Sequence, residues 1–240
     1  METAWELAHE NEQTLSDELL SELDPSFRLS PLTLKFLYGR GLRSRAQIDH
    51  YLYANLEELQ DPYAVPGMRE AVEVIRRHIA ARNMILIHGD YDVDGVTSSA
   101  VLYRVLAKVG ARVSVFLPHR MTDGYGLTRV GVARAKATGA SLLITADCGI
   151  TAFEPVREAR AAGIDVIVTD HHQLSPHGLP EATAIVHAAL AQSGEPFRDL
   201  SAVGLAYKLA QALVGEASFD LLDLVALGTV ADVAPRVGEN

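Results

Sequence analysis

The sequence predicts an α/β protein with a doubly wound, mostly parallel sheet, helices on both faces, and a small helical segment in front. Five short apolar runs recur through the later part of the chain, at residues 84–88, 113–117, 142–146, 166–169 and 184–187. Stretches of helical length and periodicity, at residues 96–109, 128–138 and 153–162, separate the first four. Strand, crossover helix and parallel strand make the βαβ unit, and its recurrence implies a parallel sheet with both faces covered.

Residues 1–80 read as helical. The stretch Ser16-Asp17-Glu18-Leu19-Leu20 comes first, then residues 31–38, a break at Gly39-Arg40-Gly41, and residues 44–52 with Ser44 placed to cap the N-terminus. Pro62 and Pro66 punctuate the chain before a helix over residues 68–81. From Met84 the pattern changes, so the sequence divides into a helical segment, 1–80, and a sheet-bearing domain, 81–240. All five runs look like buried strands, being apolar without strict alternation. Two further helices, over 200–214 and 219–227, follow the last of them.

The chain has 240 residues, 48% of them hydrophobic, enough for a sizeable core. Its formal net charge of −10 argues against non-specific adhesion to nucleic acid or anionic membrane, so a polyanionic substrate needs bound cations or a local basic patch. The single Cys148 excludes an internal disulfide. No apolar run reaches the roughly 18 residues of a membrane span. With no secretory pattern at the start, the expected location is cytoplasmic.

Ligand-type residues gather where this fold puts its chemistry, at the carboxyl ends of strands. The first strand runs into His88-Gly89-Asp90-Tyr91-Asp92-Val93-Asp94-Gly95, the third into Asp147-Cys148-Gly149, the fourth into Asp170-His171-His172, and the last helix into Asp232. A lone acid at such a place is ordinarily a helix cap, but this many together repel one another unless cations sit among them. Carboxylate and imidazole donors suit Mn²⁺ first and Mg²⁺ second, and without Cys clusters structural zinc is unsupported. Two ions about 3.5 to 4 Å apart, bridged by one carboxylate, serve phosphoryl transfer best. Cys148 reads as packing, and Gly95 and Gly149 as backbone turns.

In this order the segments His88–Gly95, Ala146-Asp147-Cys148-Gly149-Ile150, Val168-Thr169-Asp170-His171-His172 and residues 224–235 resemble the four motifs of the DHH phosphoesterase superfamily. Residues 118–127 and 200–207 are similar to segments of its RecJ-type branch. The resemblance implies a single-stranded-DNA-specific exonuclease that works from the 5′ end with Mn²⁺ or Mg²⁺, in recombination and repair. The implied partners are DNA with a free 5′ end, a single-strand-binding protein and a helicase. It implies metal ligation by Asp92, Asp94, Asp147, His171 and Asp232, with Asp147 as the bridge. His88 joins them, with Asp90 sharing or replacing it. His172 would face the scissile phosphate and Asp170 would buttress the histidines. His119 and Arg120 follow the second strand, and the resemblance gives Arg120 the 5′ terminal phosphate, against the alternative of a surface pair with Asp123. Tyr125 is expected to stack on a base, against simple loop packing. For Lys35, Arg40, Arg43 and Arg45 a solvated helix face is the expected role, against contact with the nucleic-acid backbone.

Two departures from the family pattern stand out: Arg236 follows Pro235 where Leu is usual, and Ile185-Val186-His187 lacks the usual Asn-Pro or His-Pro. The resemblance also leads one to expect DHHA1-type and OB-type domains that these 240 residues do not contain, and hence a fragment. Two other readings stay open: a DHH phosphodiesterase acting on short oligonucleotides, cyclic dinucleotides or pyrophosphate, and a non-catalytic scaffold.

Overall fold

The structure, a computed structural model, describes residues 29–191, 197, 199–216, 219–235 and 238–240. The expected helix at Ser16 lies outside them. They divide into two compact units, before and after Leu59.

The first unit holds helices α1 (Pro31–Gly39) and α2 (Arg45–Tyr53). Ser30 caps α1 by accepting the Thr33 N–H at 3.1 Å, with proline in the first turn where its missing donor costs nothing. Ser44 and Gln47 form a reciprocal capping box on α2, as the sequence led us to expect of Ser44. Leu34, Leu37 and Ile48 make the small core. Arg40 lies over the Phe36 ring, Arg43 over Tyr38, and Arg45 pairs with Asp49, so these cations dress the helical surface.

The second unit opens with α3 (Met68–Ala80), which packs against the last strand. The helix that ends the predicted N-terminal segment therefore belongs with the sheet. The strands are β1 (Met84–Gly89), β2 (Arg112–Phe116), β3 (Ala140–Ala146), β4 (Asp165–Thr169) and β5 (Ala184–Val186), all parallel, in the order β2-β1-β3-β4-β5. Between and after them run α4 (Val93–Lys108), α5 (Arg129–Ala137), α6 (Phe153–Ala161), α7 (Ala202–Val214) and α8 (Leu222–Ala231).

Alternate strand residues serve the two layers. Leu86, Leu143, Val166 and Val168 join Val132, Ala135, Val156 and Ala159 of α5 and α6 in one core. Ile85, Ile87, Ile144 and Ile167, pointing the other way, are fully buried beneath the layer in which α4 packs against α7 and α8. Each such side chain taken from water is worth about 1.5 to 3 kcal/mol. β2 differs from expectation. It is an edge strand that pairs only with β1, and Arg112 and Val115 are exposed, whereas β5 at the other edge is covered by α3. Helix α4 begins three residues earlier than its apolar periodicity suggests, because Asp92 caps it through the Gly95 N–H at 3.0 Å.

In a sheet of order 2-1-3-4-5 the connections leave β1 and β3 toward opposite faces, which opens a crevice at their carboxyl ends. Three acids stand there at one level, each one residue beyond its strand. The Asp90 N–H reaches Ala146 O, the Asp147 N–H reaches Thr169 O, and the Asp170 N–H reaches Val186 O, at 3.0, 3.0 and 3.3 Å.

Candidate metal centre

The turn from β1 into α4 is tight because Gly95 sits on the backbone of Asp90. A Cβ at 95 would lie 2.6 Å from Asp90 N and O. Asp90 is buried, one carboxylate oxygen accepts the Tyr91 N–H at 2.8 Å, and the other has no partner. Asp94, in the first turn of α4, is also buried and accepts the N–H groups of Ala202 and Val203 at 2.8 Å each. Two orphan donors at the start of α7 are thereby satisfied. Asp147 sits at φ 66, a left-handed conformation that Asp tolerates better than most residues.

His171 is the hub. Its Nε2 lies 3.2 Å from Asp147 Oδ1 and 3.9 Å from both Asp94 Oδ2 and Asp232 Oδ2. The contact with Asp147 is close but misaligned for hydrogen bonding, so this buried oxygen also lacks a hydrogen-bond partner. Three sets of side chains bring their ligand atoms within 4.8 Å of one another: Asp90, Asp92 and Asp147; Asp94, His171 and Asp232; and Asp147, His171 and His172. Asp147 and His171 each belong to two sets, so the sets form one continuous cluster.

Its electrostatics call for positive charge. Burial raises the carboxyl pKa values of Asp90, Asp94 and Asp147, and a neighbouring carboxylate adds to the rise in each case, bringing Asp147 to about 7. His171 is pulled the opposite way by burial, yet contacts with Asp147 and Asp94 outweigh that and raise it. Unpartnered buried carboxylate oxygens beside a carboxylate-rich cluster fit hard or borderline divalent cations.

His172 is held differently. Its Nδ1 lies 2.7 Å from Asp170 Oδ1, and its Nε2 2.9 Å from the Tyr125 hydroxyl. The Asp170 hydrogen bond is the main reason its pKa rises to about 9. Burial pushes Asp170 up, but His172 and the N–H of Ile150, 2.9 Å away, more than offset this and hold it below the usual range.

Not every expected residue arrives. His88 does not reach the cluster. It is still within β1, two residues beyond Leu86, and so faces the α5 side. There its ring stacks on Phe116 at 5.4 Å and its Nε2 meets Gly126 O at 3.0 Å. It fits only because residue 131 is glycine, where a Cβ would come within 2.8 Å of the ring. Burial lowers its pKa. Arg120 does not pair with Asp123, which instead accepts from the His119 N–H and Thr122. Its guanidinium lies 5.0 Å from the Tyr91 ring centroid. His119 is turned into its own loop, its Nδ1 accepting the Met121 N–H at 3.3 Å. Cys148 is buried, as packing requires.

Two residues that sequence reasoning passed over join the site. Tyr91 lies edge-on to Tyr125 at 6.1 Å, forming a continuous row Arg120, Tyr91, Tyr125, His172. His187, at the end of β5, bonds through Nε2 to the His172 carbonyl at 2.8 Å and accepts the Ala189 N–H at Nδ1. The rule that found Asp170 would have found His187, since Thr169 pairs with Val186.

Known proteins resemble this chain in both sequence and fold. The single-stranded-DNA-specific exonuclease RecJ of Bacillus subtilis strain 168 is 38% identical over 236 residues, covering 98% of this chain. The chain spans only 29% of that relative's length. A crystal structure of exonuclease RecJ bound to manganese superposes with a TM-score of 0.65 at 38% identity, over 71% of this chain and 44% of that one. RecJ of Thermus thermophilus in complex with Mn²⁺ gives 0.68 at 32% identity, over 92% and 31%. Residues 84–229 match the DHH family, N-terminal domain, a span that holds every member of the cluster except Asp232, and the chain belongs to the DHH family.

Proposed function

We propose that this chain carries the metal-dependent centre of a nuclease that hydrolyses phosphodiester bonds of single-stranded DNA from the 5′ end. The observation that carries the reading is the sharing of Asp147 and His171 between ligand sets, which makes room for two cations in one cluster. Asp90, Asp92 and Asp147 would hold one ion, and Asp94, His171 and Asp232 the other, with Asp147, 3.2 Å from His171, shared by both. With Mn²⁺ or Mg²⁺ held there, these residues would place positive charge beside the phosphoryl group and an activated water.

The protein's own groups do the rest. Protonated His172, anchored by Asp170 and by His187 under its carbonyl, directs Nε2–H at the place now taken by the Tyr125 hydroxyl. A non-bridging phosphate oxygen in that place would accept the bond, and the preorganised donor favours the charge developing on it. Arg120, over Tyr91, offers its fork to the 5′ terminal phosphate. Water forms a new bond to phosphorus, the bond from phosphorus to O3′ of the terminal nucleotide breaks, and that oxygen takes up a proton. A 5′-mononucleotide leaves.

The matching relatives are named for this activity, and the RecJ-type segments favour long single strands over dinucleotides. A single-strand-binding protein and a helicase, in the cytoplasm, complete the proposed setting. Among the described residues no helix is long and apolar enough to cross a membrane. We also propose that the catalytic domain read from the sequence as 81–240 takes in helix α3 as well.

The test has two arms. Calorimetry should show uptake of Mn²⁺ by this chain. Asp147→Asn should abolish it, and also the Mn²⁺-dependent release of mononucleotides from 5′-phosphorylated single strands by a protein extended to the length of the relatives. Equal Mn²⁺ uptake by the variant would overturn the assignment, and turnover of dinucleotides in preference to long DNA would replace the substrate.

A further inference from the structure

Helix α8 ends in a Schellman turn: the Val233 N–H reaches Val230 O and the Ala234 N–H reaches Thr229 O, both at 3.2 Å. The pivot of that turn is Val233, at φ 58. Glycine is the usual pivot because an L side chain crowds the backbone there, and a β-branched one does so most. Fold stability therefore does not explain a valine. Packing among the described residues does not explain it either, for against them Val233 is 80% exposed.

Its surroundings show what the side chain faces. Together with Leu200, Ala234 and Pro235 it lines an open cleft of about 260 Å³, whose remaining walls are Asp199 and two members of the metal centre, His171 and Asp232. With Asp232 turned to the metal centre, the carboxylate of Asp199 disfavours a second phosphate here, whereas the apolar residues suit an uncharged ring. The cleft lies below the roughly 300 to 1,000 Å³ of drug-sized ligand sites, a size for one small group. A phosphate held at the centre must have its nucleoside within a few ångströms, and the cleft borders the centre.

We infer that this cleft is the subsite for the nucleoside joined through its 5′ oxygen to the scissile phosphate. Val233 provides its apolar contact, and Asp199 accepts from its N–H or O–H groups. The inference rests on the nuclease reading above: with the 5′ terminal phosphate at Arg120, the departing nucleotide lies beside Tyr125 and His172. That leaves the His171 and Asp232 side for the nucleotide that follows. Val233 is thus a specificity-determining contact, kept at a position where the backbone alone would select glycine.

Calorimetry on this chain in saturating Mn²⁺ tests it, with methyl phosphate and deoxyadenosine 5′-monophosphate as probes and Val233→Gly as the variant. The wild type should bind the nucleotide about fivefold or more tightly than methyl phosphate. Val233→Gly should lose most of that difference, bind methyl phosphate unchanged, and melt at the wild-type temperature or above it, since glycine takes a positive φ freely. An undiminished nucleotide preference in Val233→Gly, or equal binding of the two probes by the wild type, overturns the subsite while leaving the metal centre standing. A variant that melts lower and loses methyl phosphate as well shows a structural role and overturns it too. Absence of any Mn²⁺-dependent methyl phosphate binding removes the metal reading itself, and the subsite with it.

Discussion

The carboxylate of Asp94 accepts the backbone N–H of Val203, 109 residues further along the chain, at 2.8 Å, and that of Ala202 at the same distance. A candidate ligand thus also fastens the start of α7 to the start of α4, coupling the metal centre to the fold.

Asp94→Ala should consequently do more than weaken metal binding. It strands two buried N–H donors, each worth about 1 to 3 kcal/mol when left unpaired, so a loss of about 2 to 4 kcal/mol is expected without metal. Urea denaturation measures it. A loss below about 0.5 kcal/mol would show that the α7 N-terminus finds other acceptors.

Gly228→Ala should disturb the same joint from the α8 side. The added Cβ would lie 2.4 Å from Thr97 Oγ1, 2.8 Å from Val203 Cγ1 and 3.0 Å from Asp94 Oδ1. Overpacking of this kind costs about 1 to 3 kcal/mol. Because Asp94 is one of the residues displaced, Mn²⁺ affinity should fall together with the melting temperature. A wild-type Mn²⁺ titration in this variant would refute the coupling.

Asp147→Asn separates the metal from the scaffold. Asn tolerates the positive φ at 147 and keeps the shape of the side chain, but removes the charge shared between the ligand sets. Melting without metal should stay at or above wild type. At free Mn²⁺ a hundredfold above its Kd the wild type gains about 2.7 kcal/mol, and the variant should gain nothing measurable. A preserved Mn²⁺ shift would exclude Asp147 as the shared ligand.

At the opposite end of β4, Asp165 should make stability fall in acid. Burial pushes its pKa up, but hydrogen bonds from His78, Thr183 and Arg77 outweigh this and leave it below its ordinary 3.8. Arg160 adds a contact at 2.7 Å. A lowered folded pKa means that the stabilisation is complete above 3.8 and is lost as the pH drops through the folded value. The difference between wild type and Asp165→Asn should be constant from about pH 5 to 7 and shrink below about pH 4. A difference that does not change with pH would remove the linkage.

The order of elements is legible in the sequence because it depends on local chemistry. Apolar runs of strand length, crossover stretches of helical period and the cap at Ser44 are all fixed by neighbours in the chain. The acids are legible too, since parallel strands deliver their carboxyl ends to one edge. Asp90, Asp147 and Asp170 stand at a common level because each follows a strand that pairs with the next.

What only the tertiary structure decided is which way each side chain faces and what meets it there. His88 has the residue type and place of a ligand, but it remains inside the pleat, so its direction was set by strand alternation and by the space above Gly131. β2 reads as a buried strand, yet whether a strand is central or at an edge depends on which strands pair, information spread over the whole sheet. The second duty of Asp94, the support of His187 beneath His172 and the exposed Val233 beside the cleft all join segments far apart in sequence. Periodicity is a property of one segment. Convergence is a property of several, and it exists only once they have packed.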